Sequence, residues 1–368
     1  MKTSKVHPLA KVGVCIGASI ASLSSAAQES PDPFAGDQWN LHDQSVGSRV
    51  DDAWKVTRGE GVVIAAIGSG ITSHEDLDAH VLPGFDFITD PNFSRDGDGR
   101  DADARDEGSW REPGDDCGLP GVVASTWHDT AVAGVAMAVA NNGRGMAGVA
   151  PEAKLLPVRT VSYCGGTLRD VVAGITWASG GEVDDAPVNP TPARVLQINT
   201  AAYGPCPEAM AWAIDEARRR GVAVIVGAGE DADEAVLSNP ANCPGVIVVG
   251  AADHRGGQAE YSSYGKLVTL SAPGGSDDAD VRNRIYATFN EGQTVPTTGN
   301  YRRSSGTFLA SAHVAGAAAL ILSANPSLSS DDVTRLLVSS TRAMPVACQR
   351  PCGSGLLDTS AAVAKALE

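Results

Sequence analysis

The chain has 368 residues and a formal net charge of −16, with 43% hydrophobic and only 5% aromatic residues. Its length allows one large α/β domain or two small ones. So acidic a chain repels nucleic acid and anionic lipid, so we expect no nucleic-acid partner. No segment repeats in a way that would indicate a solenoid.

Residues 1–27 are typical of a secretory signal peptide. Three lysines precede an apolar stretch at 12–23, and Ser-Ala-Ala at 25–27 suits cleavage. The apolar stretch is short for a membrane span, so we expect no membrane insertion. We predict export to the periplasm or the extracellular space.

Cleavage after residue 27 would remove Cys15 and leave six cysteines. An even number in an exported chain favours disulfides, although spacing does not choose among the connectivities. Cys348 and Cys352 are close enough in sequence to form a local staple. The disulfide candidates are Cys117, Cys164, Cys206, Cys243, Cys348 and Cys352.

Short β-branched runs alternate with helical patterns from residue 61 to the end. Strands buried on both faces of a parallel sheet are predicted at 62–67, 155–158, 195–198, 222–226 and 246–249. Helices are predicted at 168–178 and 207–220. This alternation predicts one α/β domain with a doubly wound, mostly parallel sheet over 61–368, preceded by an amino-terminal extension at 28–60.

The segment 307–324 is apolar on nearly every side. A helix without a polar face is normally buried in the middle of a domain. Ser329 and Asp332 have the spacing of a capping box, which predicts a terminal helix after them.

Four segments carry a family resemblance. They read AIGSGI at 66–71, HDTAVAG at 128–134, GAGE at 227–230 and GTFLASAHVAG at 306–316. In this order and spacing they resemble the active-site motifs of subtilisin-like serine proteases (subtilases), in particular secreted bacterial members stabilised by disulfides. The resemblance implies the subtilisin-like fold.

The residues that subtilases use for catalysis are replaced at all four matching positions. Gly68 stands at the catalytic Asp, Ala131 at the His, Phe308 at the nucleophilic Ser and Glu230 at the oxyanion Asn. A triad needs a nucleophile, a proton shuttle and an orienting carboxylate, and Glu230 would put negative charge where the oxyanion develops. The resemblance therefore implies a fold without an intact catalytic set.

The replacements are also compatible with packing. We expect the Phe308 ring to be buried in the vacated space. We expect Asp129 to complement the dipole of the helix that it begins. A rebuilt Ser–His–Asp set from other residues near the motifs is a weaker alternative than structural roles for His128, Asp129, Ser69, Ser305 and Ser311.

The resemblance also implies a substrate groove and a calcium site. One groove wall would be Gly165 and Gly166, and the opposite, altered wall Asn199, Thr200 and Ala201. Six acids crowd residues 96–107, a composition typical of a Ca²⁺ site, with a solvated acidic loop as the alternative. The predicted Ca²⁺ ligands are Asp96, Asp98, Asp101, Asp103 and Asp106.

These features lead to three functional hypotheses. The first is an exported, inactive subtilase homologue (pseudoprotease) that binds a peptide or protein, with regulation of an active subtilase as one form of this role. The second is an active secreted serine endopeptidase, and the third is a structural or surface component without a peptide ligand. Roughly 40 residues separate the predicted cleavage site from Gly68, so we also expect no separate propeptide domain.

Overall fold

The computed structural model describes residues 1–2, 4, 30–112, 114–115 and 121–368. Most of the predicted signal peptide (residues 3 and 5–27) and Cys117 lie outside these ranges. Within them the α-helices are α1 (Trp39–His42), α2 (Pro91–Ser94), α3 (His128–Met137), α4 (Leu168–Ala178), α5 (Glu208–Arg219), α6 (Thr307–Ala324), α7 (Ser330–Ser339) and α8 (Thr359–Ala366).

Most of the strands belong to one large sheet. They are β1 (Val63–Gly68), β2 (Phe85–Asp86), β3 (Lys154–Arg159), β4 (Val195–Ile198), β5 (Ala202–Tyr203), β6 (Ala223–Gly227), β7 (Ser238–Asn239), β8 (Ile247–Ala252), β9 (Leu270–Pro273), β10 (Ile285–Asn290) and β11 (Gly299–Ser304). The large sheet has seven strands in the order β2-β3-β1-β4-β6-β8-β9, all paired in parallel. Two short antiparallel pairs, β5–β7 and β10–β11, lie apart from it.

The sheet is covered on both faces. Along β1, Ile64 and Ala66 pack into the core that contains α3, α6 and α8, whereas Ala65 and Ile67 pack into the core that contains α4 and α5. Because successive side chains of a strand point to opposite faces, each central strand serves both cores. The predicted doubly wound, mostly parallel sheet is confirmed.

The predicted apolar helix is α6, and it lies in the middle of the domain. By length and composition α6 could cross a membrane, but 83% of its apolar window is buried inside the protein. Its His313 is fully buried between the Asn40 side chain, 2.9 Å from Nε2, and the Leu309 carbonyl, 2.8 Å from Nδ1. Burial lowers the pKa of His313 to about 4, so this histidine is neutral and structural.

Several local predictions are also confirmed. Ser329 and Asp332 form a capping box, although the helix they begin, α7, is followed by α8 and is not the terminal helix. Disulfides join Cys348 to Cys352 and Cys206 to Cys243, and Cys164 is also disulfide-bonded.

The close approach of α3 to β10 positions the start of α3. Thr288 of β10 donates its hydroxyl to the Thr130 carbonyl at 2.5 Å. A Cβ at Gly134 would lie 2.2 Å from the Thr288 Oγ1 and 2.9 Å from its backbone nitrogen. Only glycine therefore permits this contact.

We expect Gly134→Ala to destabilise the protein although alanine favours helix by about 1 kcal/mol. Overpacking against Thr288 costs about 1–3 kcal/mol and outweighs that gain. Urea unfolding of the variant, of Thr288→Ala and of the double variant measures the coupling. A Gly134→Ala protein as stable as the parent would contradict the contact.

Candidate functional site

The positions singled out by the sequence meet at one edge of the sheet. Gly68 ends β1, Asn199 follows β4 and Glu230 lies three residues after β6. Ala131 and Phe308 lie in the first turns of α3 and α6. The carboxyl ends of parallel strands and the helices that follow them form ligand sites in open α/β sheets.

The carboxylate of Asp129 fills the space beside Gly68. A Cβ at Gly68 would lie 2.4 Å and 2.5 Å from the two carboxylate oxygens of Asp129. The Asp129 side chain is completely buried, and its Oδ2 has no hydrogen-bond partner among the described residues. The predicted position of Asp129 in the first turn of α3 is correct, but its side chain packs against the end of β1, a contact the sequence prediction missed.

His128 is oriented by this carboxylate and faces the cleft. Its Nδ1 lies 3.1 Å from Asp129 Oδ1, and its ring contacts Phe308 with centroids 4.5 Å apart. Burial alone would lower the pKa of His128, but the carboxylates of Asp129, Glu230 and Asp106 raise it overall. These carboxylates therefore favour the protonated form of His128.

Glu230 caps α6 from another part of the chain. Its Oε1 accepts the backbone N–H of Thr307 at 2.7 Å, and the backbone N–H of Phe308 also stabilises the carboxylate. The residue before α6, Gly306, has no side chain to make such a cap. Burial raises the pKa of Glu230 in spite of these donors. A carboxylate thus occupies the N–H groups that would otherwise stabilise a developing oxyanion.

Phe308 divides the cleft but does not close it. The sequence predicted a buried ring, and this is wrong: Phe308 is only partly buried, and its ring lies tilted against that of His128. On one side lies a cavity of about 350 Å³, the smaller cavity, bounded by 198–203 and 226–231. On the other side lies a cavity of about 690 Å³, the larger cavity, bounded by β10 and β11.

The two predicted groove walls differ in the structure. Asn199, Thr200 and Ala201 line the smaller cavity. Gly165 and Gly166 are exposed and are not among its lining residues.

Two of the three serines near the motifs, Ser69 and Ser311, have structural partners, and the third, Ser305, lines the larger cavity. Ser311 donates its hydroxyl to the Phe308 carbonyl, and Ser69 donates to Asp106. Elsewhere, Ser276 lies 2.6 Å from Nδ1 of His254, but the nearby Asp278 faces the same nitrogen at 3.9 Å. A relay needs the serine and the carboxylate on opposite nitrogens of the ring, so this group is not a triad.

The acidic loop does not bring its five predicted calcium ligands to one point. Asp96 forms an ion pair with Arg159 at 2.7 Å, and Asp103 pairs with Arg105. Desolvation raises the pKa of Asp98, and the nearby charges of Asp101 and Asp96 raise it further. No group of three or more His, Cys, Asp or Glu side chains among the described residues is arranged to hold a metal ion. The calcium site stays a prediction from the sequence.

Asp106 turns inward to the end of β1. It accepts hydrogen bonds from the Ser69 hydroxyl and the Gly108 amide, both at 2.9 Å. Burial raises the pKa of Asp106 to about 7. Because its carboxyl keeps a proton in the folded state that the unfolded chain has released, stability falls as pH rises from about 4 through 7.

We therefore expect Asp106→Asn to flatten the pH dependence of the melting temperature. The parent should lose stability between pH 5 and pH 7.5, and the variant should lose measurably less. Asp103→Asn, which removes a partly exposed carboxyl of the same loop, serves as the control. A parent and an Asp106→Asn variant with parallel profiles would show that Asp106 does not titrate in this range.

Comparisons with known proteins agree with this architecture. The model of the subtilase family matches residues 59–355. An extracellular protease of Xanthomonas campestris pv. campestris is 42% identical over 338 residues, which cover 91% of this chain and 57% of that protein. An extracellular basic protease of Dichelobacter nodosus is 36% identical over 341 residues, 90% of this chain and 55% of that protein. The chain thus spans about half the length of these curated relatives.

A solved structure is similar over nearly the whole domain. A protease from Pseudoalteromonas arctica PAMC 21717 has a TM-score of 0.89 and 42% identity, covering 92% of this chain and 99% of that chain. The family match, the relatives and the parallel sheet with its cleft lead to one conclusion: this chain belongs to the subtilase family.

Proposed function

We propose that this protein is an exported subtilase homologue that binds a peptide or protein in the cleft and does not hydrolyse it. The observation that carries the proposal is the position of the Glu230 carboxylate on the amino terminus of α6, 2.7 Å from the Thr307 nitrogen. Negative charge there opposes the oxyanion of acyl transfer. Gly68, Ala131 and Phe308 offer no carboxylate, base or nucleophile at the positions that the family resemblance marks as catalytic.

The cleft itself favours binding. Two cavities flank Phe308, and subtilases hold peptides as an added strand, a mode that needs backbone edges and side-chain recesses but no catalytic group. Regulation of an active subtilase is one form of this role. The relatives named extracellular proteases support export, to the periplasm or beyond.

The second candidate is an active serine endopeptidase. Its support is the name "protease" carried by relatives 42% and 36% identical to this chain. The resemblance extends over most of the domain, so this candidate deserves a direct assay.

We expect the purified protein, assayed with calcium, to hydrolyse no peptide anilide above the buffer rate. It should also resist labelling by a fluorophosphonate probe, because no activated serine is available at position 308. An active subtilisin is the positive control. Labelling of a serine, located by mass spectrometry, would establish the endopeptidase.

The contact of Gly68 with Asp129 leads to a specific test in which the catalytic residues of the family are restored. Gly68→Asp, Ala131→His, Phe308→Ser and Glu230→Asn together restore the family residues. We expect this quadruple variant to stay inactive, because the new Cβ at position 68 would meet the Asp129 carboxylate at 2.4 Å.

A quintuple variant adds Asp129→Gly, because glycine is the family residue at this position. We expect it to hydrolyse the anilide roughly a thousandfold or more faster than the quadruple variant, which is the scale of a triad contribution. Circular dichroism and melting curves verify that both variants fold. A quadruple variant as active as the quintuple one would contradict the steric account.

A further inference from the structure

One wall of the smaller cavity is a short loop after β6, residues 230–235, which we call the cleft loop. It contributes Glu230 and Asp231 to the cavity and continues with exposed Asp233 and Glu234. Four acids within six residues repel one another. The cleft loop therefore depends on contacts from other parts of the protein to keep one position.

The backbone of the cleft loop is strained at Ala232. Its φ of 50° lies in the left-handed region, which residues with a Cβ rarely adopt. The Ala232 N–H donates to the Tyr261 carbonyl at 3.0 Å, and the Ala232 carbonyl accepts from the Arg350 guanidinium at 3.1 Å. Because a strained residue persists only where its surroundings hold it, these two hydrogen bonds fix the shape of the loop.

Arg350 reaches the cleft loop from the carboxyl-terminal part of the chain. Its guanidinium also lies over the ring of Tyr264, 4.4 Å from the centroid. Tyr264 supports the loop as well, because its carbonyl accepts the Ala235 N–H at 2.8 Å and its N–H donates to the Asp233 carbonyl at 3.0 Å. A guanidinium can donate a hydrogen bond and stack on a ring at the same time, so one side chain holds the loop and its neighbour together.

The Cys348–Cys352 disulfide holds Arg350 in place. Cys352 is buried, and its carbonyl accepts the hydroxyl of Ser271 on β9 at 2.9 Å. Apart from half-buried Cys348, residues 345–351 are exposed. The disulfide thus joins an exposed segment, which carries Arg350, to an anchor in the large sheet.

A small thiol reagent can reach this disulfide. Cys348 lines a cavity of about 570 Å³ between residues 253–262 and residues 346–350. When one thiolate of a dithiol attacks the Cys348 sulfur, Cys352 leaves as a thiolate, and the second thiol of the reagent then displaces Cys348. The protein disulfide takes up two electrons and two protons, and the dithiol is oxidised to a disulfide.

We propose that Arg350 is a positioning residue of the cleft, held by the Cys348–Cys352 disulfide, and that a dithiol that opens this disulfide releases the cleft loop. The consequence for a ligand rests on the proposed binding function, because the loop is a wall of the cavity that would hold the ligand. The position of the loop can be measured without any ligand.

The first test measures backbone hydrogen exchange over residues 229–237 of the full chain by mass spectrometry. Arg350→Met keeps the length of the side chain but removes its donors and its charge. We expect exchange in this segment to become roughly tenfold faster, the scale of one lost hydrogen bond. Arg350→Lys should restore most of the protection, because an ammonium can still donate to the Ala232 carbonyl and lie over the Tyr264 ring.

A matched control separates this contact from a general effect of charge. Arg255 lines the same cavity as Arg350, but it pairs with Asp253 at 2.8 Å. Arg255→Met should therefore leave exchange over residues 229–237 at the parent rate. Melting curves verify that every variant folds.

The second test addresses the disulfide. The double variant Cys348→Ser/Cys352→Ser should accelerate exchange as Arg350→Met does. Adding Arg350→Met to it should change little more, because both changes act through one contact. A dithiol should accelerate exchange in the parent but not in the double serine variant, and alkylation followed by mass spectrometry identifies the cysteines that it opens.

Three results would overturn the proposal. One is a parent rate of exchange in Arg350→Met or in the double serine variant. Another is equal acceleration by Arg350→Met and Arg255→Met, which would assign the effect to charge around the cavity. The third is a dithiol effect of the same size in the double serine variant, which would assign it to another disulfide.

Binding of labelled, unfolded casein, followed by fluorescence anisotropy, tests the proposed function separately. Casein binding that Arg350→Met weakens and Arg255→Met does not would support both the binding function and the positioning role. A parent that does not bind casein would count against the binding function, whereas the exchange measurements would still decide the role of Arg350.

Discussion

The carboxylate of Asp129, buried against Gly68, is the contact on which the arrangement of this cleft depends. It places negative charge at the end of β1, where an Asp at position 68 would have its own carboxylate. A buried carboxylate requires a partner, and His128 on the same helix supplies it at 3.1 Å. His128 in turn supports the Phe308 ring. The replaced positions are therefore coupled, and reversing one of them alone leaves a clash or an unpaired charge.

Glu230 likewise places a carboxylate in a structural contact, at the amino terminus of α6. The first N–H groups of a helix lack intrahelical partners, and a carboxylate there stabilises the helix by about 0.3–2 kcal/mol. In a protease the same donors must stay free for the reaction. A residue that satisfies them permanently exchanges catalytic capacity for local stability, a change that the proposed loss of hydrolysis would allow.

The sequence predicted the framework well and the side-chain contacts of the cleft poorly. The strands, the buried α6 and the Cys348–Cys352 disulfide follow from periodicity, composition and local spacing. The contact of Asp129 with Gly68 joins two residues 61 positions apart in sequence, so no local pattern reports it. The one available signal was an acid in place of the motif glycine at 129, opposite a glycine in place of the motif acid at 68.

The side-chain contacts of the acidic loop escaped the sequence for a similar reason. Its spacing suggested one cation site, but Arg159 at the end of β3 neutralises Asp96, and Ser69 at the end of β1 draws Asp106 inward. Arg159 and Ser69 both lie beside the loop because β1 and β3 are neighbouring strands of the sheet. Local acid density cannot reveal such distant partners.

The state of the smaller cavity argues against a purely structural role. A component without a ligand gains stability by filling a cavity and by pairing buried polar atoms, since each unsatisfied group costs about 1–3 kcal/mol. Here Asp129 fills the space beside Gly68 and Glu230 caps α6, yet the adjacent cavity stays open and the Asn199 amide has no hydrogen-bond partner among the described residues. The filled catalytic centre and the open cavity beside it are both explained if the smaller cavity, unlike the catalytic centre, still binds a ligand.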